Sequence, residues 1–398
     1  MRRWNDKLRP VELWEVDKQA HKMIVAWTIF LLNTKDLSPK KRRKIALELI
    51  EGGIFDYLYR LIITDIKPPI FYQIKTNSLH YKRLTEWVLE QLEPQLKPLG
   101  NEFWNKFKSY FLEEKTKNSI SFEILNVSHL YASYSEFKLI EGLNFWDEEI
   151  KEIKTNFQKG LENYSHLKGV KELLIEDNNP LKSFVDKCFQ LRFQKRWSHV
   201  PRIPETSVLG HMFIVACYAY FFSLALGACD TLIINNFFAG LFHDLPELLT
   251  RDIISPVKRS DKKIAHLIKD YERKELKTKI FNPLEAGGYK DIVENLKYLL
   301  GIDIGSEFSS TVVIDKIPKE VYHFQLMEDF NKDEYNPKDG ELLEVCDNLA
   351  AFIEAYTALK NGINSDQLHQ ALWRIKEKYR NFSLYKELHI GGLLADFD

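Results

Sequence analysis

The stretch LFHDLPELLTRDIISPVK, Leu241 to Lys258, places many ionisable groups in an otherwise apolar segment. His243 and Asp244 are adjacent, and Glu247 follows one helical turn after His243. A single His on an apolar face is more often a hydrogen-bonded core residue than a ligand. Burying several unpaired carboxylates costs free energy, however, so a cluster of this kind favours a functional site over a plain core helix.

The composition sets the broad class of the protein. The chain has 398 residues, a net charge of −1, 45% hydrophobic and 28% charged residues. It is long enough for two domains, and its composition is typical of a soluble globular protein. The near-neutral charge argues against a dedicated nucleic-acid-binding protein, which would carry a basic field. It leaves open whether the chain forms a homo-oligomer.

Several features predict a cytoplasmic location and no membrane association. The N-terminal stretch has no apolar region after its basic start, so it does not resemble a signal peptide. Met212 to Cys229 is free of charged residues but reaches only the lower edge of spanning length, contains Tyr218 and Tyr220, and is predicted to be a buried helix. The cysteines are scattered without CxxC spacing and are expected to be reduced thiols, at Cys188, Cys217, Cys229 and Cys346.

The periodicity of the apolar residues predicts a mostly all-α fold. KKRRKIALELIEGGIFDYLYRLI and HQALWRIKEKYRNF both repeat apolar residues at spacings of three and four. The one segment with β character is SSTVVIDKI, Ser309 to Ile317, which predicts a short hairpin arm.

An internal repeat organises the chain. HKMIVA at His21 matches HMFIVA at His211, and LNVSHLYASYSE (125–136) matches LEVCDNLAAFIE (343–354). Between these matches, residues 53–70 align without gaps on residues 240–257, with seven of eighteen positions identical. We therefore predict two helical units in tandem, residues 1–185 and 186–398.

The polar residues differ between the copies. His243, Asp244 and Glu247 are matched by Asp56, Tyr57 and Arg60, and Asp347 is matched by His129. The first copy is therefore interpreted as a degenerate unit that supports or regulates the second. From Asp252 to Asp347 there are 95 positions, against 64 in the first copy, so an insertion near residues 281–316 is expected to reshape the second site.

The second copy carries the donors of a metal site. His211, His243, Asp244 and Asp347 fall on three separate segments, and two imidazoles with two carboxylates suit one divalent Mn, Co, Fe, Ni or Zn ion. Adjacent residues of a helix point about 100° apart, so His243 and Asp244 can share an ion only where the helix faces a cleft or ends. Pro246 is compatible with a helix boundary at this point.

The ordered set H…HD…D resembles the HD-domain superfamily of metal-dependent phosphohydrolases, and most closely its bacterial 5′-deoxynucleotidase group. The resemblance rests on Arg196-Trp197 ahead of His211, on HDLPELLTRDIISPVK, and on LLEVCDNLAAFIEA. It covers roughly residues 191–360 and implies an HD helical bundle. The implied activity is hydrolysis of deoxyribonucleoside 5′-monophosphates, with a small-molecule nucleotide as substrate.

The resemblance also implies roles for individual residues. The metal ligands would be His211, His243, Asp244 and Asp347. Glu247, Arg196 and Asp252 would be catalytic, with Glu247 as general base and Arg196 orienting the phosphate. The substrate contacts would be Arg196, Trp197, Asp252, Ser255 and Lys258, although for Lys258 an exposed structural role is favoured over a phosphate contact.

The chain departs from the deoxynucleotidase pattern in two places. Gly210 replaces the acidic residue that usually precedes the first His, and PETSVLGH has one extra residue. These departures leave two alternatives: an HD hydrolase of another nucleotide (a triphosphate, cyclic nucleotide or alarmone), or a nucleotide-sensing scaffold without catalysis.

Overall fold

The computed structural model describes residues 1–113, 119–175, 179–251, 253 and 261–397. The chain is 70% helical with only very small sheets, which confirms the all-α prediction. It divides into two compact units, Met1–Lys171 and Glu172–Asp398. This division lies 14 residues before the predicted boundary after residue 185, because the helix Pro180–Gln190 packs on helices of the second unit.

The first unit consists of helices and short 3₁₀ turns. Its α-helices are α1 Glu15–Thr34, α2 Pro39–Ile63, α3 Pro68–Thr76, α4 Ser78–Leu96, α5 Asn101–Leu112, α6 Ile120–Ile140 and α7 Glu149–Glu162. Helix α8, Val170–Leu174, contains the division between the units. The 3₁₀ turns are Lys97–Leu99 and Glu141–Asn144.

The second unit is also helical, with two small hairpins. Its α-helices are α9 Pro180–Gln190, α10 Val208–Ala225, α11 Asp230–Phe242, α12 Glu247–Thr250, α13 Lys262–Leu276, α14 Asn282–Ala286, α15 Lys290–Leu299, α16 His323–Asp329, α17 Gly340–Lys360, α18 Asp366–Tyr379 and α19 Ile390–Ala395. A π-helical turn, Lys277–Phe281, joins α13 to α14, and 3₁₀ turns lie at Leu191–Phe193 and Asp333–Tyr335.

The hairpin arm expected from the sequence is present. Strands β1 Thr311–Ile314 and β2 Ile317–Glu320 pair antiparallel, so the arm extends three residues beyond the predicted Ile317. A second two-residue hairpin joins β3 Ser383–Leu384 to β4 Leu388–His389.

The same three-helix arrangement occurs in each unit. In the first, α1, α2 and α6 pack against one another, and in the second α10, α11 and α17 do so. These are the helices that carry the three sequence matches, so their packing supports the repeat hypothesis.

Polar caps fix where the long helices of the second unit begin. The Ser207 hydroxyl accepts a hydrogen bond from the backbone N–H of Gly210, and the Asp339 carboxylate accepts one from Leu342. Each bond satisfies a backbone donor that the first turn of a helix leaves unpaired. The starts of α10 and α17, which carry His211 and Asp347, are thereby set.

Helix α10 is the apolar helix that the sequence predicted to be buried. Among the described residues it is the one helix long and apolar enough to cross a membrane, and 67% of its 18 residues are buried within the structure. That burial is typical of a core helix. Gly240 on α11 allows the close approach of the two helices, since a Cβ there would lie 2.9 Å from the Ala216 Cα of α10.

Candidate metal centre and its cleft

Four donor side chains converge at one point of the second unit. His211 Nε2 lies 2.9 Å from Asp347 Oδ1 and 3.8 Å from Asp244 Oδ2. His243 Nε2 lies 3.2 Å from Asp244 Oδ2 and 3.9 Å from Asp347 Oδ1. The structure therefore brings together all four side chains that the sequence singled out as ligands.

The end of helix α11 allows the adjacent pair to face the same point. The helix ends at Phe242, and His243 is its C-cap residue. Helix α12 then begins at Glu247 with Pro246 as its N-cap. The chain turns between the two helices, where the Leu245 N–H donates to the Phe242 carbonyl, so His243 and Asp244 lie at the point where the regular helix ends.

The histidines present suitable nitrogen atoms to an ion. His243 Nδ1 donates to the backbone carbonyl of Gly240 at 2.8 Å, so in the neutral imidazole its Nε2 carries the lone pair and faces the carboxylates. His211 also directs Nε2 toward Asp347, with the ring itself fully buried. Atoms that share one ion at bond lengths of about 2.0–2.2 Å lie roughly 3 to 3.5 Å apart, which is close to the separations found here.

The charge balance also fits a divalent cation. Four carboxylates lie close enough to Arg196 to raise its pKa, those of Glu354, Asp244, Asp347 and Glu247. The guanidiniums of Arg196 and Arg202 supply two positive charges near these groups. With neutral imidazoles, one doubly charged ion balances the set, as buried carboxylates require.

The side chains alone shift one another's proton affinity strongly. Burial by itself would lower the pKa of His243, but the neighbouring Asp244 carboxylate outweighs it and raises that pKa to about 9. Burial would raise the pKa of Asp347, whereas its hydrogen bond with His211 lowers it. Because a ligating imidazole must be neutral, a metal ion competes with a proton for His243.

Arg196 connects the donor cluster to a second carboxylate. Its Nη1 lies 3.4 Å from Asp244 Oδ2, and its Nε donates to Glu354 Oε2 at 3.2 Å. Burial would lower the pKa of Arg196, but Glu354 and Asp244 outweigh it and raise that pKa further. The guanidinium is therefore permanently charged beside the cluster.

A small cleft opens beside the donors and contains the predicted base. Its walls include His243, Asp244 and Glu247, and its volume is about 70 Å³. Glu247 is buried, with 6% of its surface exposed. The other lining residues are Pro246, Lys269, Glu272, Arg273, Leu276, Leu300, Gly301, Ile302, Gly305 and Glu307.

The remaining predicted contacts have different outcomes. Trp197 is half-buried, its indole N–H donates to Glu354 Oε2 at 2.8 Å, and its ring packs near Val200 and Leu368. Its contact with a sugar stays a prediction. Asp252, Ser255 and Lys258 lie outside the described residues.

Sequence reasoning missed Glu354 and the cations of the cleft wall. Glu354 holds Arg196 and Trp197, although the repeat alignment ends on this residue and on its identical counterpart Glu136. Lys269 lies on α13, a helix that begins beyond the aligned segment. The segment predicted to be an insertion also contributes to the cleft, through Leu300 and Gly301 among others.

In the first unit, lysines lie beside residues that align with the donors of the second unit. Two of the four positions that align with the donors hold Asp56 and His129. The Lys22 ammonium forms an ion pair with Asp56, and Lys18 Nζ lies 2.8 Å from His129 Nδ1. Both lysines are fully buried. The side chains at these two positions therefore have ammonium partners from the chain itself.

Comparison with protein families identifies the segment that carries the site. Residues 188–376, just under half the chain, match the family model described as HD domain. This segment contains the four donors together with Arg196, Glu247 and Glu354. No curated protein and no solved structure gives a significant match to the chain.

Proposed function

Because residues 188–376 match the HD-domain family model, we propose that the second unit is a metal-dependent phosphohydrolase whose substrates are deoxyribonucleoside 5′-monophosphates. The observation that carries this proposal is the convergence of His211, His243, Asp244 and Asp347 beside Arg196 and a cleft. The four donors would hold one divalent ion. When bound, such an ion supplies Lewis acidity, which polarises a phosphoryl oxygen and acidifies water.

Two side chains of the second unit would carry out the remaining steps of the reaction. Arg196 binds oxygens of the phosphoryl group, since its two hydrogen bonds engage Nε and Nη1 and its fork has further donors. Glu247 accepts the proton of the attacking water. A bond forms between the water oxygen and phosphorus, the bond from phosphorus to the 5′-oxygen breaks, and Glu247 returns the proton to that oxygen.

The size of the cleft supports a phosphoryl group at this position. A volume of about 70 Å³ is far below the 300 Å³ or more of a pocket that encloses a whole ligand. The cleft therefore suits the phosphate end of an ester. The choice of a deoxyribonucleoside rests on the Arg196-Trp197 pair and the motif that resembles the deoxynucleotidase group.

The cleft wall favours one second candidate, a nucleoside triphosphate. Lys269 and Arg273 lie one helical turn apart on α13 and both line the cleft with Asp244. Two additional cations suit a substrate with more than one phosphate. Glu272 and Glu307 line the same cleft and offset this charge.

One assay distinguishes these functions. Phosphate and pyrophosphate or triphosphate release would be measured from ribo- and deoxyribonucleoside mono- and triphosphates, with Mn, Co or Mg added to the full chain. Metal-dependent phosphate release from deoxymonophosphates that is lost in Asp244→Ala supports the leading function. Release from triphosphates alone supports the second candidate. Metal binding without turnover of any phosphate would overturn both and favour a nucleotide sensor.

A further inference from the structure

We propose that Glu354 is the positioning residue of this site, holding Arg196 and His211 in the orientations that the chemistry requires. The inference rests on the proposed function. Glu354 lies on α17 seven residues after Asp347, and 10% of its side chain is exposed. It is not one of the four donors, so any effect on the site must act through its neighbours.

Both carboxylate oxygens of Glu354 have partners. Oε2 accepts from Arg196 Nε at 3.2 Å and from Trp197 Nε1 at 2.8 Å. Oε1 accepts from the Thr206 hydroxyl at 3.0 Å and lies 3.4 Å from His211 Nδ1. One side chain thus contacts the phosphate-binding cation and one of the metal-binding imidazoles.

The contact with His211 selects the nitrogen that faces the donors. A carboxylate beside Nδ1 favours the tautomer with its proton on that atom. With the proton on Nδ1, Nε2 would be free to bind an ion that it shares with Asp347 Oδ1, the oxygen 2.9 Å away. Outer partners of this kind typically change metal affinity or activity 10–100-fold when they are removed.

The contact with Arg196 fixes the direction of its fork. Glu354 binds the Nε edge, so the Nη1 group extends toward Asp244 at 3.4 Å. A freely rotating guanidinium would lose side-chain entropy on each binding of phosphate. Held at its Nε edge, Arg196 is already oriented.

The first unit contains the same clamp without the donor cluster. Arg3 Nε and Trp4 Nε1 donate to Glu136 Oε2 at 2.7 and 3.0 Å. Trp4 and Trp197 also share a left-handed backbone, with φ of 56° and 58°. An Arg-Trp pair on a glutamate is therefore part of the fold of each unit, and Glu136 provides a matched control.

The test compares Glu354→Gln with Glu136→Gln in the full chain. Mn²⁺ affinity would be measured by titration calorimetry, and kcat and KM with the best substrate of the panel. We expect Glu354→Gln to weaken Mn²⁺ binding and to reduce kcat, each about 10–100-fold, and to raise KM. Glu136→Gln should leave all three within about twofold of the wild type.

Two further variants separate positioning from stability. Glu354→Asp keeps the charge and should recover part of the Mn²⁺ affinity, and Thr206→Val removes only the hydroxyl donor to Oε1 and should give a smaller loss. If Glu354→Gln does not fold, Glu354→Asp and Thr206→Val still test the inference. A folded Glu354→Gln or Thr206→Val protein with wild-type affinity, kcat and KM would overturn the inference. If the wild type binds Mn²⁺ but hydrolyses nothing, the proposed function fails, and the affinities still test Glu354.

Discussion

His211 Nε2 and Asp347 Oδ1 lie 2.9 Å apart although 136 positions separate these residues in the chain. The contact exists because α10 and α17 pack side by side, with α11 against both. Burial alone would raise the pKa of Asp347, and the bond to His211 lowers it. The packing of these helices in the core thus brings together two of the four candidate metal ligands.

Replacing Asp244 should abolish metal binding and activity. In Asp244→Ala the centre loses a ligand, and the carboxylate next to His243 and Arg196 disappears. We expect bound metal to fall from one ion per chain to none and phosphate release to fall at least about 10³-fold. Elemental analysis and the phosphate assay measure these quantities. Asp270→Ala, at an exposed carboxylate paired with His266, is the control and should change neither.

Glu247→Gln should separate catalysis from metal binding. The substitution keeps the shape of the side chain but removes the proton acceptor, so kcat should fall about 10²–10⁴-fold. Metal content should remain at the wild-type value, because Glu247 is not one of the four donors. Glu285→Gln, at a carboxylate paired with Lys297 outside the cleft, is the control. A glutamine variant with undiminished kcat would exclude Glu247 as the base.

Gly240→Ala should destabilise the second unit and loosen its site. The added Cβ would lie 2.9 Å from the Ala216 Cα, and this backbone cannot shift without moving α11 away from α10. We expect a loss of about 1–3 kcal/mol in the free energy of unfolding and weaker metal binding. Thermal unfolding and metal titration measure both. At Gly53 the nearest atom is the Met23 sulfur, a flexible side chain, so Gly53→Ala should leave metal binding unchanged.

Glu15 should make the stability of the first unit depend on pH. Burial alone would raise the pKa of Glu15, but the charges of Lys18 and Arg3 outweigh it and lower that pKa to about 2. The folded-state pKa lies below the unfolded value of 4.5, so the stabilisation is present above pH 4.5 and is lost as pH falls toward 2. Glu15→Gln should therefore be less stable than the wild type at pH 7, by roughly 3–5 kcal/mol. The difference should shrink on acidification in denaturant titrations at successive pH values; a difference independent of pH would contradict the assignment.

The donors could be predicted from the sequence because their order along the chain reflects the packing of α10, α11 and α17. His211 and Asp347 were singled out by the ordered set H…HD…D. By contrast, Glu354 on α17 accepts a hydrogen bond from the indole N–H of Trp197, a residue with a left-handed backbone. The sequence alone gives little sign of that conformation.

The cleft wall was harder to predict. Lys269 and Arg273 lie on a helix without a match in the first copy, so the repeat gave no guide to their position. The division between the units also differs from the prediction, since Asn179-Pro180 begins a helix whose main packing partners among the described residues follow it in the chain.

The first unit provides a comparison for the metal dependence that we expect of the second, because it has buried lysines beside residues that align with the candidate ligands. Lys22 is a covalently attached counterion of Asp56, so its presence does not depend on the ions in solution. The cation that we propose for the second unit would instead come from solution. On chelation we expect calorimetry to show one transition that moves to lower temperature and one that stays. The gap between the two transition temperatures would measure how much a bound ion contributes to the stability of the second unit.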